Sequence, residues 1–144
     1  VERARRRLAA ALTGIALTAA AVGGTFWLTR ERPALDALAE VRRVVPEGML
    51  IEVEVLNGTT RTGLARLGTR VLRRAGFDVV LYDTAPEQVD TTVVIIRRGG
   101  EHPARLLVEA LGTGRIEERH DPLRLVDLTV ILGPDWRPPP GLMP

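Results

Sequence analysis

From Leu8 to Leu28 the chain reads LAAALTGIALTAAAVGGTFWL, 21 residues without a charge and with threonine as the only polar type. At roughly 1.5 Å of rise per residue, a helix of this length spans about 31 Å, the thickness of a bilayer's hydrocarbon core. Thr13, Thr18 and Thr25 can bond carbonyls one turn earlier, which makes them tolerable in lipid. Phe26 and Trp27 fall where an interfacial aromatic belt would sit. Arg3, Arg5, Arg6 and Arg7 precede the stretch, whereas Arg30 and Arg32 follow it with Glu31 between them. The positive-inside rule therefore predicts a cytoplasmic basic segment at 1–7, a transmembrane helix at 8–28, and everything after it outside the cytoplasm. A cleaved signal peptide is the competing reading, with Ala19-Ala20-Ala21 as its A-x-A-like site. Against it, the apolar run continues through Phe26-Trp27-Leu28 rather than turning polar. Both readings send the folded part outward. A buried core helix fits less well, given the uncharged length and the arginine flank.

The high isoelectric point belongs largely to that terminus. Residues 1–29 hold four arginines and one acid, which leaves 16 arginines against 17 acids in the remainder. A nucleic-acid module should have a basic domain rather than a basic terminus, so no nucleic-acid partner is expected. The chain contains no Cys, no Lys and no Ser. Thiolate, Schiff-base and serine-nucleophile chemistry are thereby removed, and a non-catalytic role is the expectation.

After the apolar stretch, residues 29–49 read as a juxtamembrane linker. Leu35, Leu38, Val41 and Val45 recur at helical spacing between Pro33 and Pro46, which suits a short amphipathic helix packed loosely against the folded domain. The compact unit is expected at 50–136. Ile51–Leu56 alternates apolar and acidic residues as a strand does, and places Glu52 and Glu54 on its exposed face. Thr62–Ala75 is helical by its stripe of Leu64, Leu67, Val71, Leu72 and Ala75, with Thr60 or Thr62 as cap and Gly76 as stop. Phe77–Tyr82 is the next strand. A second half repeats the plan: strand Thr91–Ile96, a helix opening near Pro103 and ending at Gly112, a short strand Arg115–Glu118, and strand Leu128–Leu132. Two βαβ halves predict an α/β two-layer sandwich, ferredoxin-like, with a more parallel open sheet as the alternative. Residues 137–144, RPPPGLMP, should be an extended, disordered tail.

The most site-like segment is the strand-to-helix loop Asn57-Gly58-Thr59-Thr60-Arg61-Thr62-Gly63. Such a junction aims backbone N–H groups and a helix dipole at whatever lies above it. Gly58 and Gly63 have Walker A spacing, but Leu64 stands where the lysine must be. Arg66, Arg70 and Arg73 share one face of the following helix, with Arg61 just before it, and could meet an anionic polymer or an acidic partner. Asn57, Gly58, Thr59, Thr60, Arg61, Gly63, Arg66, Arg70 and Arg73 are thus the candidate binding residues, against a plain reading of turn glycines and a solvated helix face. His120-Asp121 near Glu117 and Glu118 is thin for zinc, and His102 stands alone. No metal, cofactor or catalytic residue is expected.

The segments IEVEVLNGTTRTGLA (Ile51–Ala65), LRRAGFDVV (Leu72–Val80), TTVVIIRRGG (Thr91–Gly100) and LTVILGPDW (Leu128–Trp136), in that order, resemble the LytR C-terminal domain family. The resemblance implies an accessory domain of the bacterial cell envelope, often appended to LytR-CpsA-Psr enzymes that attach anionic glycopolymers to peptidoglycan. It also implies that Asn57, Gly58, Thr59, Gly63 and Leu64 belong to the family signature, as fold determinants or as a binding site. The enzymes' own catalytic domain has no room in this chain. The resulting expectation is a module held to the bilayer through Leu8–Leu28 that binds an anionic wall polymer or an envelope protein. A structural protein acting by self-association at the membrane is the alternative.

Overall fold

Period-two and period-3.6 apolar stripes need a common partner surface, and here they find it in two layers. The computed structural model describes residues 37–143, so the expected segments 1–7 and 8–28 lie outside the described residues. Among the described residues no helix is long and apolar enough to cross a membrane. The elements are β1 (Glu52–Asn57), α1 (Leu64–Ala75), β2 (Asp78–Thr84), β3 (Val93–Ile96), α2 (Glu101–Leu111), β4 (Arg115–Glu118) and β5 (Leu128–Leu132). The five strands form one sheet in the order β2-β1-β5-β3-β4, and α1 and α2 lie side by side on one of its faces.

The α/β expectation holds, but the strand order is not the interleaved ferredoxin-like one. Each βαβ half keeps its two strands adjacent and parallel, β1 with β2 and β3 with β4. A split βαβ would put a strand of the other half between them. Here β5 lies between the halves, parallel to β1 and antiparallel to β3. Its sequence explains the placement. Leu128, Val130 and Leu132 bury into the helix layer while Thr129 is buried on the other face, so β5 fits the centre of a sheet, where both backbone edges are paired.

On the helix side, Val53, Val55, Val94, Ile96, Leu128, Val130 and Leu132 meet Leu64, Leu67, Leu72, Ala104 and Leu107 in one core. The apolar stripe of α1 is buried as its spacing requires. Its start differs from expectation: Gly63, at φ 79°, takes the cap position, and no side chain caps the helix. Gly76, at φ 103°, closes it as expected, a conformation that costs other residues a Cβ clash.

Both flanking segments fold onto this core. Val44 and Val45 donate backbone N–H groups to the Ala75 carbonyl, and Val45 is buried. The tail, expected to be extended and disordered, turns back at Gly141 (φ 85°), and Leu142 is buried in the core. Its Met143 carbonyl accepts a hydrogen bond from Arg70. The proline content of 137–144 concealed this, because one apolar anchor and a left-handed glycine suffice to dock a short tail.

Asp135 ties the end of β5 to two neighbours. Its carboxylate accepts the Thr92 N–H at 2.7 Å and the Thr92 and Thr113 hydroxyls at 2.8 Å each. Burial pushes its pKa up, but these bonds, with one from its own backbone N–H, outweigh that and hold it below the ordinary value. A carboxylate depressed in the folded state contributes stability above its unfolded pKa and loses it as pH falls through the folded pKa. Asp135→Asn should therefore be less stable than the native chain at neutral pH. The gap should narrow as pH drops below the ordinary aspartate value of about 3.9, followed by urea unfolding across that range. A gap that did not depend on pH would remove the ionised carboxylate from the account.

Candidate functional site

The loop after β1 spends its polar groups on itself. Asn57 Nδ2 donates to the Arg61 carbonyl at 2.8 Å, and its Oδ1 accepts from the Thr59 N–H at 3.0 Å and the Thr59 hydroxyl at 2.8 Å. The Thr59 hydroxyl oxygen in turn accepts the Arg61 N–H. Gly58 is a packing requirement: a Cβ there would come within 2.6 Å of Val89 and 2.7 Å of Ile131. Gly58 also donates to the Leu132 carbonyl and accepts from the Val89 N–H, which pins the β2–β3 connection across the end of β1. Thr60 and Thr62 remain exposed.

The expected arginine ridge is similarly divided among structural tasks. Arg61 donates to the Trp136 carbonyl, Arg70 to Met143 and Arg73 to Val79. Arg74 donates to the Leu38 carbonyl. Arg70, Arg73 and Arg74 each clip an adjacent segment to α1, and Arg61 clips Trp136 to the loop before it. Arg66 is exposed beside a shallow hollow of about 200 Å³ that Asn57, Gly63 and Tyr82 help to line. The structure thus brings the nine candidates into one region, the end of β1 and one side of α1, and gives Asn57, Gly58, Thr59, Arg61, Arg70 and Arg73 each at least one hydrogen bond within the fold.

A second arrangement lies on the sheet face away from the helices. β1 alternation turns Glu54 and Leu56 to this face, β5 adds Thr129 and Ile131, β3 adds Val93 and Ile95, and β4 adds Arg115 and Glu117. Glu54 is only 5% exposed, which corrects the expectation that Glu52 and Glu54 share an exposed face. The connection between β4 and β5 folds over it. Arg124 reaches down to the Glu54 carboxylate at 2.6 Å, and the Thr129 hydroxyl donates to the same oxygen at 2.8 Å. Glu52, half-buried, is paired with Arg98 at 2.8 Å.

Beside this network runs a groove of about 580 Å³. Val93, Ile95 and Ile131 line its floor, Arg115, Glu117 and Arg119 one wall, and Glu87 and Asp90 the opposite rim. Glu117 is held between Arg115 and Arg119. Arg97 stands between wall and network, donating to the Thr129 hydroxyl and the Arg119 carbonyl. Burial and then the Arg124 guanidinium press its pKa below the ordinary value; Glu54 and Asp121 pull it up, and Arg119 adds to the depression. Four guanidinium groups, those of Arg97, Arg115, Arg119 and Arg124, therefore share one face with five carboxylates, those of Glu54, Glu117 and Asp121 among them and those of Glu87 and Asp90 on the groove's rim. Such pairs add little stability at a surface, about 0–1 kcal/mol each. They hold the guanidinium groups in fixed positions from which unspent N–H donors face solvent. Sequence reading missed this set because its members come from β1, the β2–β3 connection, the residue after β3, β4 and the β4–β5 connection. The alternation Arg115-x-Glu117-x-Arg119 along a strand was the one available signal.

His102 and His120 are exposed, and Asp121 accepts the Leu123 N–H in a local turn. Among the described residues no group of three or more His, Cys, Asp and Glu side chains gathers as for a metal.

Fold and surface define a small two-layer α/β domain with an open, arginine-bearing sheet face. Residues 50–136 match the family LytR_C, described as LytR cell envelope-related transcriptional attenuator. The chain belongs to that family, and with it to the cell-envelope-associated accessory domains. No curated protein and no solved structure matches the chain.

Proposed function

We propose that this chain is a membrane-tethered, extracytoplasmic and non-catalytic module that holds an anionic wall polymer against the open face of its sheet. The observation that carries the reading is the fixed cluster of Arg97, Arg115, Arg119 and Arg124 beside the groove over Val93, Ile95 and Ile131. Planar guanidinium groups suit phosphate and carboxylate oxygens, and an apolar floor suits the carbon skeleton between them. The uncharged stretch Leu8–Leu28 with its leading arginines supports the tether and the outward orientation. The lack of Ser, Cys and Lys supports binding over catalysis. An envelope protein with an acidic segment is the other occupant of the same chemistry.

The test is retention of the full chain on peptidoglycan sacculi carrying their anionic glycopolymer and on sacculi stripped of it. The native chain should be retained by the former, less so as salt rises. The Arg115→Ala/Arg119→Ala double variant should bind about a hundredfold more weakly or worse, by loss of charge-assisted hydrogen bonds of about 1.5–3 kcal/mol at each position. Arg66→Ala, on the helix side, should bind as the native chain does. Undiminished retention of the double variant would move the site off this face, and equal retention on stripped sacculi would move the ligand to peptidoglycan or protein.

A further inference from the structure

The groove over Val93, Ile95 and Ile131 is lined by charges of both signs, and they are sorted by side. Arg115 and Glu117 belong to β4, at the edge of the sheet, and Arg119 follows it directly. Glu87 and Asp90 come from the connection between β2 and β3. That connection is pinned on the far side. Val89, which lies between the two acids in sequence, donates its N–H to the carbonyl of Gly58, directly after β1. In the order β1-β5-β3-β4, β1 is three strand spacings from β4, about 14 Å.

The two sides differ in how their charges are used. Arg115 and Arg119 share one carboxylate, that of Glu117, which leaves the wall a surplus of positive charge. Glu87 and Asp90 are exposed, and among the described residues neither pairs with a basic side chain. Along the groove, two guanidinium groups thus stand against three carboxylates. A ligand with anionic groups alone would be attracted by the wall and repelled by the rim. A metal ion is a poor complement to the rim, because among the described residues no three His, Cys, Asp or Glu side chains gather to hold one.

We infer that the polymer held here is zwitterionic, with an ammonium group beside the phosphate or carboxylate of its repeating unit. The anionic oxygens meet Arg115 and Arg119, the ammonium group meets Glu87 and Asp90, and the carbon skeleton between them lies over Val93, Ile95 and Ile131. An ammonium group suits this rim because it offers three N–H donors, and ionised carboxylates only accept. The rim also supplies selectivity that the arginines lack. Every anionic polymer satisfies the wall, whereas one whose amines are absent or capped leaves two carboxylates facing its anionic groups. The inference rests on the polymer reading of the same groove and narrows the ligand class.

The test measures retention of the full chain, in mild detergent, on sacculi whose glycopolymer bears free amines, before and after N-acetylation. Acetylation removes the ammonium charge and leaves phosphate and carboxylate groups intact. The native chain should bind acetylated sacculi about fivefold more weakly, the loss expected for two exposed ion pairs. The Glu87→Gln/Asp90→Asn double variant, shown to be folded by circular dichroism, should not respond to acetylation. It should bind untreated sacculi about fivefold more weakly than the native chain, and acetylated sacculi at least as tightly. A native chain indifferent to acetylation, or a variant that binds untreated sacculi as tightly as the native chain, would overturn the inference. So would an acetylation response on sacculi stripped of glycopolymer, which puts the amine on the peptide, or a response to a chelator in its place, which makes a metal ion the bridge. Failure of the polymer reading itself is read separately, from undiminished retention of the Arg115→Ala/Arg119→Ala variant.

Discussion

Trp136→Ala is expected to cost about 3–5 kcal/mol of folding stability, the largest loss from any single side-chain truncation in this chain. The indole is 1% exposed and belongs to the main core. It also helps line a hollow of about 440 Å³ with Val41, Val44, Val71 and Leu111, where the segment before β1, both helices and the tail converge. Truncation would lose the transfer free energy of the ring and leave a cavity that four separate segments would have to collapse to fill. Against a typical domain stability of about 5–15 kcal/mol, such a loss brings the unfolded state within reach. Urea unfolding should show a lower midpoint at an unchanged slope, and thermal unfolding a drop of about 12 °C or more. A loss under about 1 kcal/mol would contradict the burial of the ring.

Gly133→Ala should destabilise by about 3 kcal/mol, at the upper end of the usual cost of overpacking, for a different reason. A Cβ at Gly133 would lie 2.4 Å from the Thr91 carbonyl carbon and 2.6 Å from the Thr92 nitrogen. Both are backbone atoms at the start of β3, and neither can rotate aside as a side-chain tip could. The Gly133 N–H also donates to the Thr92 hydroxyl at 3.0 Å, and Thr92 is bound twice more by Asp135. Separating the two segments to admit a methyl group would strain all three bonds. Gly99, whose added Cβ would meet nothing within 4 Å, provides the contrast in space, although its positive φ adds a backbone cost of its own. The expected signature is a lower denaturant midpoint for Gly133→Ala, and a variant as stable as the native chain would show that β5 and β3 do not approach so closely.

The pattern of helices and strands was legible because it rests on local periodicity. The stripe of α1 and the β-branched run Leu128–Leu132 each lie within one element, and both elements form at or within two residues of their expected bounds. The ends were less legible. Thr60 and Thr62 are good capping residues, yet Gly63 caps α1, because the loop is closed by Asn57 and Thr59 before the helix begins. Proline content argued for a free tail, but the position of Leu142 against the core depends on a surface that no local window contains.

The candidate site shows the same division. Sequence alone marked the Asn57–Gly63 loop, where glycines and hydroxyls cluster within a few residues, and the arginines of α1, which share a helical face. The structure engages most of these groups in turns and carbonyl clips. The open-face arginines were out of reach of pattern reading, since Arg97, Arg115, Arg119 and Arg124 become neighbours only when β3 pairs with β4 and the β4–β5 connection closes over Glu54.

Taken by itself, the sequence determined the long uncharged stretch Leu8–Leu28, the two βαβ halves, the near-balance of charge outside the terminus and the kinship with an envelope family. These come from composition, spacing and short motifs, which are properties of neighbours along the chain. Tertiary structure alone decided the strand order, the burial of Glu54, the docking of the tail, and which sheet edge and which sheet face are left unpaired among the described residues. Those outcomes depend on long-range pairing, where the burial of β5 on both its faces outweighs any preference the two halves have for each other.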